Sequence, residues 1–188
     1  MQSPYFFGYG SLVNVATHTY VDPRPARLSG WRRAWVQTDV HPLAFLSAVP
    51  DEASVISGLV ASVPGADWAA LDLRETGYDR LPAADQVDHD LPAETDVQVY
   101  SVPKATHITA EPPLPVLLSY LDVVVQGYLQ VFGEEGVAGF FDTTDSWDRP
   151  FVDDRTAPRY PRAQVLDAKE TALVDHWLAK TAAIRVEV

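Results

Sequence analysis

The apolar positions open the chain as a block. Tyr5 to Tyr9 is an unbroken apolar run that ends among Gly8 and Gly10, the pattern of a buried strand breaking into a corner. Ser11 then offers a hydroxyl that can cap a short helical turn through Val15, and Pro23 to Pro25 resets the chain. Ala26 to Thr38 alternates around Gly30 with Trp31, Trp35 and Val36, which predicts an aromatic-rich strand or pair of strands. Leu43 to Val49 and Ala53 to Val63 read as two further strands joined by the acidic, Pro-led turn Pro50-Asp51-Glu52. Strands at this density predict a mixed, mostly antiparallel sheet that can close on itself.

The period then changes. Pro64 to Thr76 places Pro64, Trp68, Leu71 and Glu75 on one face at the 3.6-residue repeat, and Gly77 terminates that helix. Asp79 to Asp96 is acidic and Pro-containing and reads as a loop, before Val97 to Val102 resumes strand alternation. In Val116 to Phe132, Leu117, Tyr120, Leu121, Val124, Tyr128 and Val131 recur at helical spacing. Gly133 stops that helix, and Gly136 to Phe141 forms a second short piece. Asp142 to Pro161 reads as an ordered irregular loop and Arg162 to Lys180 as a helix. The tail Ile184 to Val188 either adds a strand or lies free. The fold class is therefore α+β.

Composition narrows the picture. The chain has 188 residues, 47% hydrophobic and 21% charged, enough apolar mass for one core and a single domain. No 18-residue apolar run or basic leader is present, so neither a membrane span nor a signal peptide is expected. The absence of cysteine excludes disulfides, thiolate nucleophiles and Cys-ligated zinc, and leaves the cytoplasm as the default compartment. With 14 basic against 26 acidic residues the formal charge is −12, a field that repels phosphate backbones and argues against nucleic acid as a partner. Arg24, Arg27, Arg32 and Arg33, and again Arg155, Arg159 and Arg162, read as solvated faces or internal ion pairs.

Few residues stand out as chemistry. The corner after the first strand leaves backbone N–H groups that neither strand nor helix satisfies, and such donors suit an anion. Glu75 lies on the inward face of its predicted helix, in the last turn, where burial and the helix dipole both raise a carboxyl pKa. It is either a base near working pH or the ion-pair partner of Arg80, Arg32 or Arg33. Tyr120 lies on the apolar face of the longest predicted helix, with a hydroxyl that requires a partner. The five histidines show no metal-ligand spacing, and Asp142, Asp145 and Asp148 read as turn and cap residues. No triad, phosphate-loop or dinucleotide motif is present.

Taken together, Phe7-Gly8-Tyr9-Gly10-Ser11-Leu12, Gly30-Trp31-Arg32-Arg33 and Leu71-Asp72-Leu73-Arg74-Glu75 before Gly77-Tyr78 resemble the γ-glutamylcyclotransferase superfamily. The likeness spans residues 5 to 133 and leaves 140 to 188 as a C-terminal extension, expected to be helical, that covers a pocket or forms a subunit contact such as a homodimer. The resemblance implies a small β-barrel flanked by helices, and a γ-glutamyl small molecule as substrate, with no cofactor or metal. It implies that Tyr9, Gly10, Ser11 and Leu12 hold the substrate carboxylate, that Glu75 is the general acid/base and that Tyr120 contacts substrate. The acidic overall charge favours neutral or cationic leaving groups over a polyanion. A non-catalytic binding module on the same fold is the alternative.

Overall fold

The computed structural model describes residues 3 to 187. Its strands are β1 (Tyr5–Gly8), β2 (Val21–Val36), β3 (Phe45–Ser62), β4 (Asp79–Pro82), β5 (Val87–Asp88), β6 (Val97–Ser101), β7 (Val116–Leu117), β8 (Thr144–Asp145), β9 (Pro150–Asp153) and β10 (Ile184–Glu187). Three α-helices accompany them: α1 (Ala69–Arg74), α2 (Leu118–Asp142) and α3 (Ala168–Leu178). The main sheet runs β4-β6-β1-β3-β2-β5, with β8 attached to β2, and is antiparallel except where β1 meets β6 and β2 meets β8. β1 is paired on both edges and buried throughout, which explains an unbroken Tyr-Phe-Phe-Gly rather than an alternation. The sheet curls around a core in which Phe6, Phe7, Trp35, Leu59 and Val99 meet Leu121, Val124 and Tyr128 of α2.

Several elements differ from the sequence reading. Pro23 and Pro25 lie inside β2 rather than before it, and a register shift between Val21 and Arg24 absorbs the first of them. β3 runs straight through Pro50-Asp51-Glu52, so the expected hairpin does not exist. Pro50 stands opposite Trp31, beside a second register shift, where a missing N–H costs little. The helix expected over Pro64 to Thr76 is a 3-10 turn, Pro64–Ala66, followed by the short α1. Asp79 to Asp96 contains β4 and β5, mostly exposed edge strands whose pairing comes from β6 and β2 instead of from their own apolar pattern. α2 merges the two expected pieces across a break at Gly133, which has φ +69°.

The C-terminal extension is not simply helical. β9 pairs in parallel with both β7 and β10, making a second, three-stranded sheet from the tail and the approach to α2. Helix α3 begins only after Asp167, whose carboxylate accepts from the Lys169 and Glu170 amides while Glu170 reaches back, a complete capping box. At the chain's start Asn14, not Ser11, caps a helical turn, its side chain accepting from the Ala16 amide.

Arg33 is the unexpected member of the core, with no exposed surface. Its guanidinium donates to the Tyr9 carbonyl (3.1 Å), the Ser57 carbonyl (2.6 Å), Thr143 Oγ1 (2.6 Å) and the Tyr128 hydroxyl (2.6 Å). The Tyr128 hydroxyl passes its own proton on to Tyr9 O or Ser57 O, at 2.9 and 2.7 Å. No carboxylate is among these partners. A buried cation is tolerated here because carbonyl, hydroxyl and aromatic-face contacts replace its water, Tyr128 and Phe140 lying about 5 Å from it.

Candidate functional site

β1 delivers the chain to the centre of the sheet, and the corner that follows turns under α2. A 3-10 turn, Ser11–Val13, carries Ser11 and Leu12, closed by the Val13 amide on the Gly10 carbonyl at 3.0 Å. Arg33 and Tyr128 hold the Tyr9 carbonyl from behind. Because amide N–H and C=O point oppositely in a trans peptide, the Gly10 N–H is turned away from Arg33. Gly10 is required by what stands in front of it: a Cβ there would lie 2.7 Å from the Tyr120 hydroxyl.

Two adjoining cavities meet at this corner. A small one, about 30 Å³, is lined by residues that include Tyr9, Gly10, Ser11, Leu12, Glu75 and Tyr120. It adjoins a larger one of about 350 Å³ that shares Ser11, Leu46, Glu75, Tyr78 and Tyr120. The structure thus brings together every site residue expected from sequence: Tyr9, Gly10, Ser11, Leu12, Glu75 and Tyr120. Their roles differ in detail. Tyr9 contributes backbone and ring, since its hydroxyl is engaged by the Tyr100 carbonyl at 2.6 Å. Leu12 is buried, and its carbonyl is bonded to the His18 ring.

Glu75 caps the end of α1 instead of lying within its last turn, and its amide closes the helix on the Leu71 carbonyl at 2.9 Å. Its side chain is 16% exposed and pairs with Arg74, Nε to Oε1 3.2 Å. The expected alternatives are engaged elsewhere: Arg80 with Asp72, Arg32 with Asp145, and Arg33 in the core. Burial raises the Glu75 carboxyl above its ordinary value, against the opposing pull of Arg74 and Arg162. The result is a carboxylate that can take a proton more readily than an exposed one.

Ser11 is buried and receives two donors, Tyr160 through its hydroxyl at 2.9 Å and Arg74 Nη2 at 3.2 Å. Both Ser11 lone pairs are thereby occupied, leaving its own proton to give. Arg74 also donates to the Thr17 carbonyl and hydroxyl, so it ties α1 to the corner. Burial pushes the Tyr120 hydroxyl well above the ordinary phenol range, which keeps it a neutral O–H.

Sequence reasoning missed one wall of the cavity. Arg159, Tyr160, Pro161 and Arg162 line the larger cavity, and the Tyr160 ring meets Tyr120 edge to face at 5.0 Å. Asp154 holds this segment in place. Its buried carboxylate accepts from the Ser119 amide (2.8 Å), the Ser119 hydroxyl (2.6 Å) and the Arg159 amide (2.8 Å), capping α2 across 35 residues. Tyr78, also missed, donates to the Leu46 carbonyl at 2.9 Å and lines both cavities. Neither Arg159 nor Arg162 has an ion-pair partner among the described residues. The cavity therefore sets Arg74, Arg159 and Arg162 against Glu75 alone, a local sign opposite to the chain's net charge. No group of three His, Asp or Glu residues able to hold a metal occurs among the described residues, and no helix there is long and apolar enough to cross a membrane.

This architecture has counterparts among solved structures. A γ-glutamyl cyclotransferase shares 12% identity over 93% of this chain and 99% of its own, with a TM-score of 0.59. An uncharacterized protein, loc79017, from Homo sapiens shares 13% over the same shares, at 0.58. YkqA from Bacillus subtilis shares 18% over 78% of this chain and 57% of its own, at 0.56. At these identities the likeness is one of fold, a curled, mostly antiparallel sheet with flanking helices. No curated protein matches the sequence. The family model described as ChaC-like protein matches residues 4–113, more than half of the chain, and the chain belongs to the ChaC-like family.

Proposed function

We propose that this protein is a cyclotransferase that converts a γ-glutamyl compound to 5-oxoproline and a free amine or amino acid. The observation that carries the reading is the convergence of Glu75, Tyr120 and the Gly10–Leu12 corner on one cavity system. The substrate's α-nitrogen attacks its own γ-carbonyl carbon. The new C–N bond closes a five-membered lactam, and the bond from that carbon to the departing nitrogen breaks. No water enters, and one proton moves from the attacking to the departing nitrogen, a transfer assigned to Glu75. Since nucleophile and electrophile share a molecule, the protein's main task is to hold the bent conformer, an intramolecular placement worth up to roughly 7–11 kcal/mol. The corner amides and Ser11 hydroxyl receive the substrate carboxylate, and Tyr120 donates to the oxygen on which charge develops.

The arginines on the C-terminal wall alter one expectation. The departing portion passes Arg159 and Arg162, so a leaving amine that bears a carboxylate is favoured over a neutral or cationic one, despite the acidic surface. Arg162→Gln should therefore raise KM for a γ-glutamyl amino acid more than for its amide.

The deciding experiment is 5-oxoproline release from a panel of γ-glutamyl amino acids, amines and glutathione, with metal chelator present. Turnover is expected, and Glu75→Gln should lower kcat by ~10²–10⁴-fold while 5-oxoproline still binds. Full activity in that variant would remove Glu75 from the role. The Arg74–Glu75 ion pair favours one competing reading, a non-catalytic binding module in which Glu75 is structural. That reading gives binding of 5-oxoproline with no turnover by the wild-type protein.

A further inference from the structure

A third cavity, about 410 Å³, is lined in part by Trp35 and belongs to none of the chemistry above. Its size is that of a small-molecule site, within the usual ~300–1,000 Å³. Arg149 lines it and is 7% exposed. The guanidinium makes one side-chain hydrogen bond among the described residues, Nε to the Ser146 carbonyl at 2.9 Å, and Nη1 has no partner. Asp148 is the acidic neighbour that acts on it, through space without an ion-pair contact.

A second residue with an unpartnered group lines the same cavity. Among the described residues, the buried side-chain atoms without a hydrogen-bond partner are Trp35 Nε1, Thr38 Oγ1 and Arg149 Nη1. Of these residues, Trp35 and Arg149 line this cavity. Each of these atoms carries a proton to donate. Leaving the donors of Trp35 and Arg149 idle is costly, and an acceptor with negative charge beside them relieves that cost. At the cavity's outer edge stand Glu111 and Asp148, both exposed, which repel a bare anion and attract an ammonium group.

We propose that this cavity is a second ligand site, for a small amino acid bound as its zwitterion. The carboxylate faces Arg149 and the Trp35 indole, and the ammonium faces Glu111 and Asp148. The site is separated from the Glu75 cavity by aromatic rings, Trp35 meeting Tyr120 edge to face with centroids 6.0 Å apart. It does not depend on the cyclotransferase reading.

Isothermal titration of the full chain tests it with glycine and alanine as probes, against N-acetylglycine, which lacks the ammonium, and glycinamide, which lacks the carboxylate. The zwitterions are expected to bind at least tenfold more tightly than either control. Arg149→Met should abolish that binding, whereas Glu75→Gln should leave it unchanged, which separates this site from the main cavity. Where Arg149→Met fails to fold, Ala110→Phe, which fills the cavity from its lining, should abolish binding instead. No binding by any probe would mean a water-filled cavity only and would overturn the proposal, as would zwitterion binding that survives Ala110→Phe.

Discussion

Two buried arginines in this molecule have opposite surroundings. Arg33 has no exposed surface and spends its donors on Tyr9, Ser57, Tyr128 and Thr143. Arg149 is nearly as buried, yet uses only its Nε and faces a cavity. Burial lowers the pKa of both guanidiniums, but at Arg33 the Tyr128 contacts offset part of that cost, and at Arg149 only the charge of the neighbouring Asp148 does, without a hydrogen bond. Burial alone therefore does not reveal what a charged residue is for. The state of its hydrogen bonds does: a satisfied network holds the fold, and an idle one waits for something outside the chain.

The largest test of this contrast is Arg33→Met. It strands the Tyr9 and Ser57 carbonyls in the core, and a loss of about 3–5 kcal/mol in urea unfolding is expected. A loss below ~1 kcal/mol would erase the distinction. Tyr128→Phe removes one hydroxyl from the same network while keeping the ring, and should cost ~1–3 kcal/mol by the same assay. Arg149→Met sharpens the other side. Because it deletes an unpaired buried charge, its stability should lie within ~1 kcal/mol of wild type or above it, and a loss as large as that of Arg33→Met would put Arg149 among the structural residues.

The smallest effect is a slope with pH, carried by a third buried charge. Burial raises the Glu75 carboxyl in the folded chain, so as pH climbs the unfolded chain releases that proton first. The stabilisation is complete below the unfolded carboxyl value, ~4.3, and is lost as pH rises through the folded one. Glu75→Gln should lack this loss, so its stability relative to wild type should increase from acidic to neutral pH. A constant difference across that range would show that burial does not perturb Glu75.

The half of the site built from contiguous residues was legible in sequence. Gly8 to Leu12 signals its corner by glycine spacing, Glu75 stands out as a carboxylate among Trp68 and Leu71, and Tyr120 falls on an apolar helical face. The other half is assembled by contacts that leave no local pattern. Tyr160 reaches Ser11 from a segment that Asp154 ties to the start of α2, 35 residues before it. Arg74, adjacent to Glu75 in sequence, turns out to be its partner, where Arg80, Arg32 and Arg33 had been the expected ones. Among the strands, β3 was hidden by Pro50-Asp51-Glu52, whose turn chemistry is overridden by pairing with β2, and β4, β5 and β8 are too short and exposed to alternate.

The parallel pairing of β9 with both β7 and β10 has a consequence for how the protein is made. On a ribosome adding ~5–20 residues per second, Glu75 and the Gly10–Leu12 corner emerge several seconds before Tyr160, and β10 follows later still. Until then β9 lacks one of its neighbours and the main cavity stands open on the side that Arg159 to Arg162 will close. The stretch that finishes the pocket is synthesised after the family motifs, so a nascent chain stalled or clipped before it carries the recognisable motifs of its family without an enclosed site.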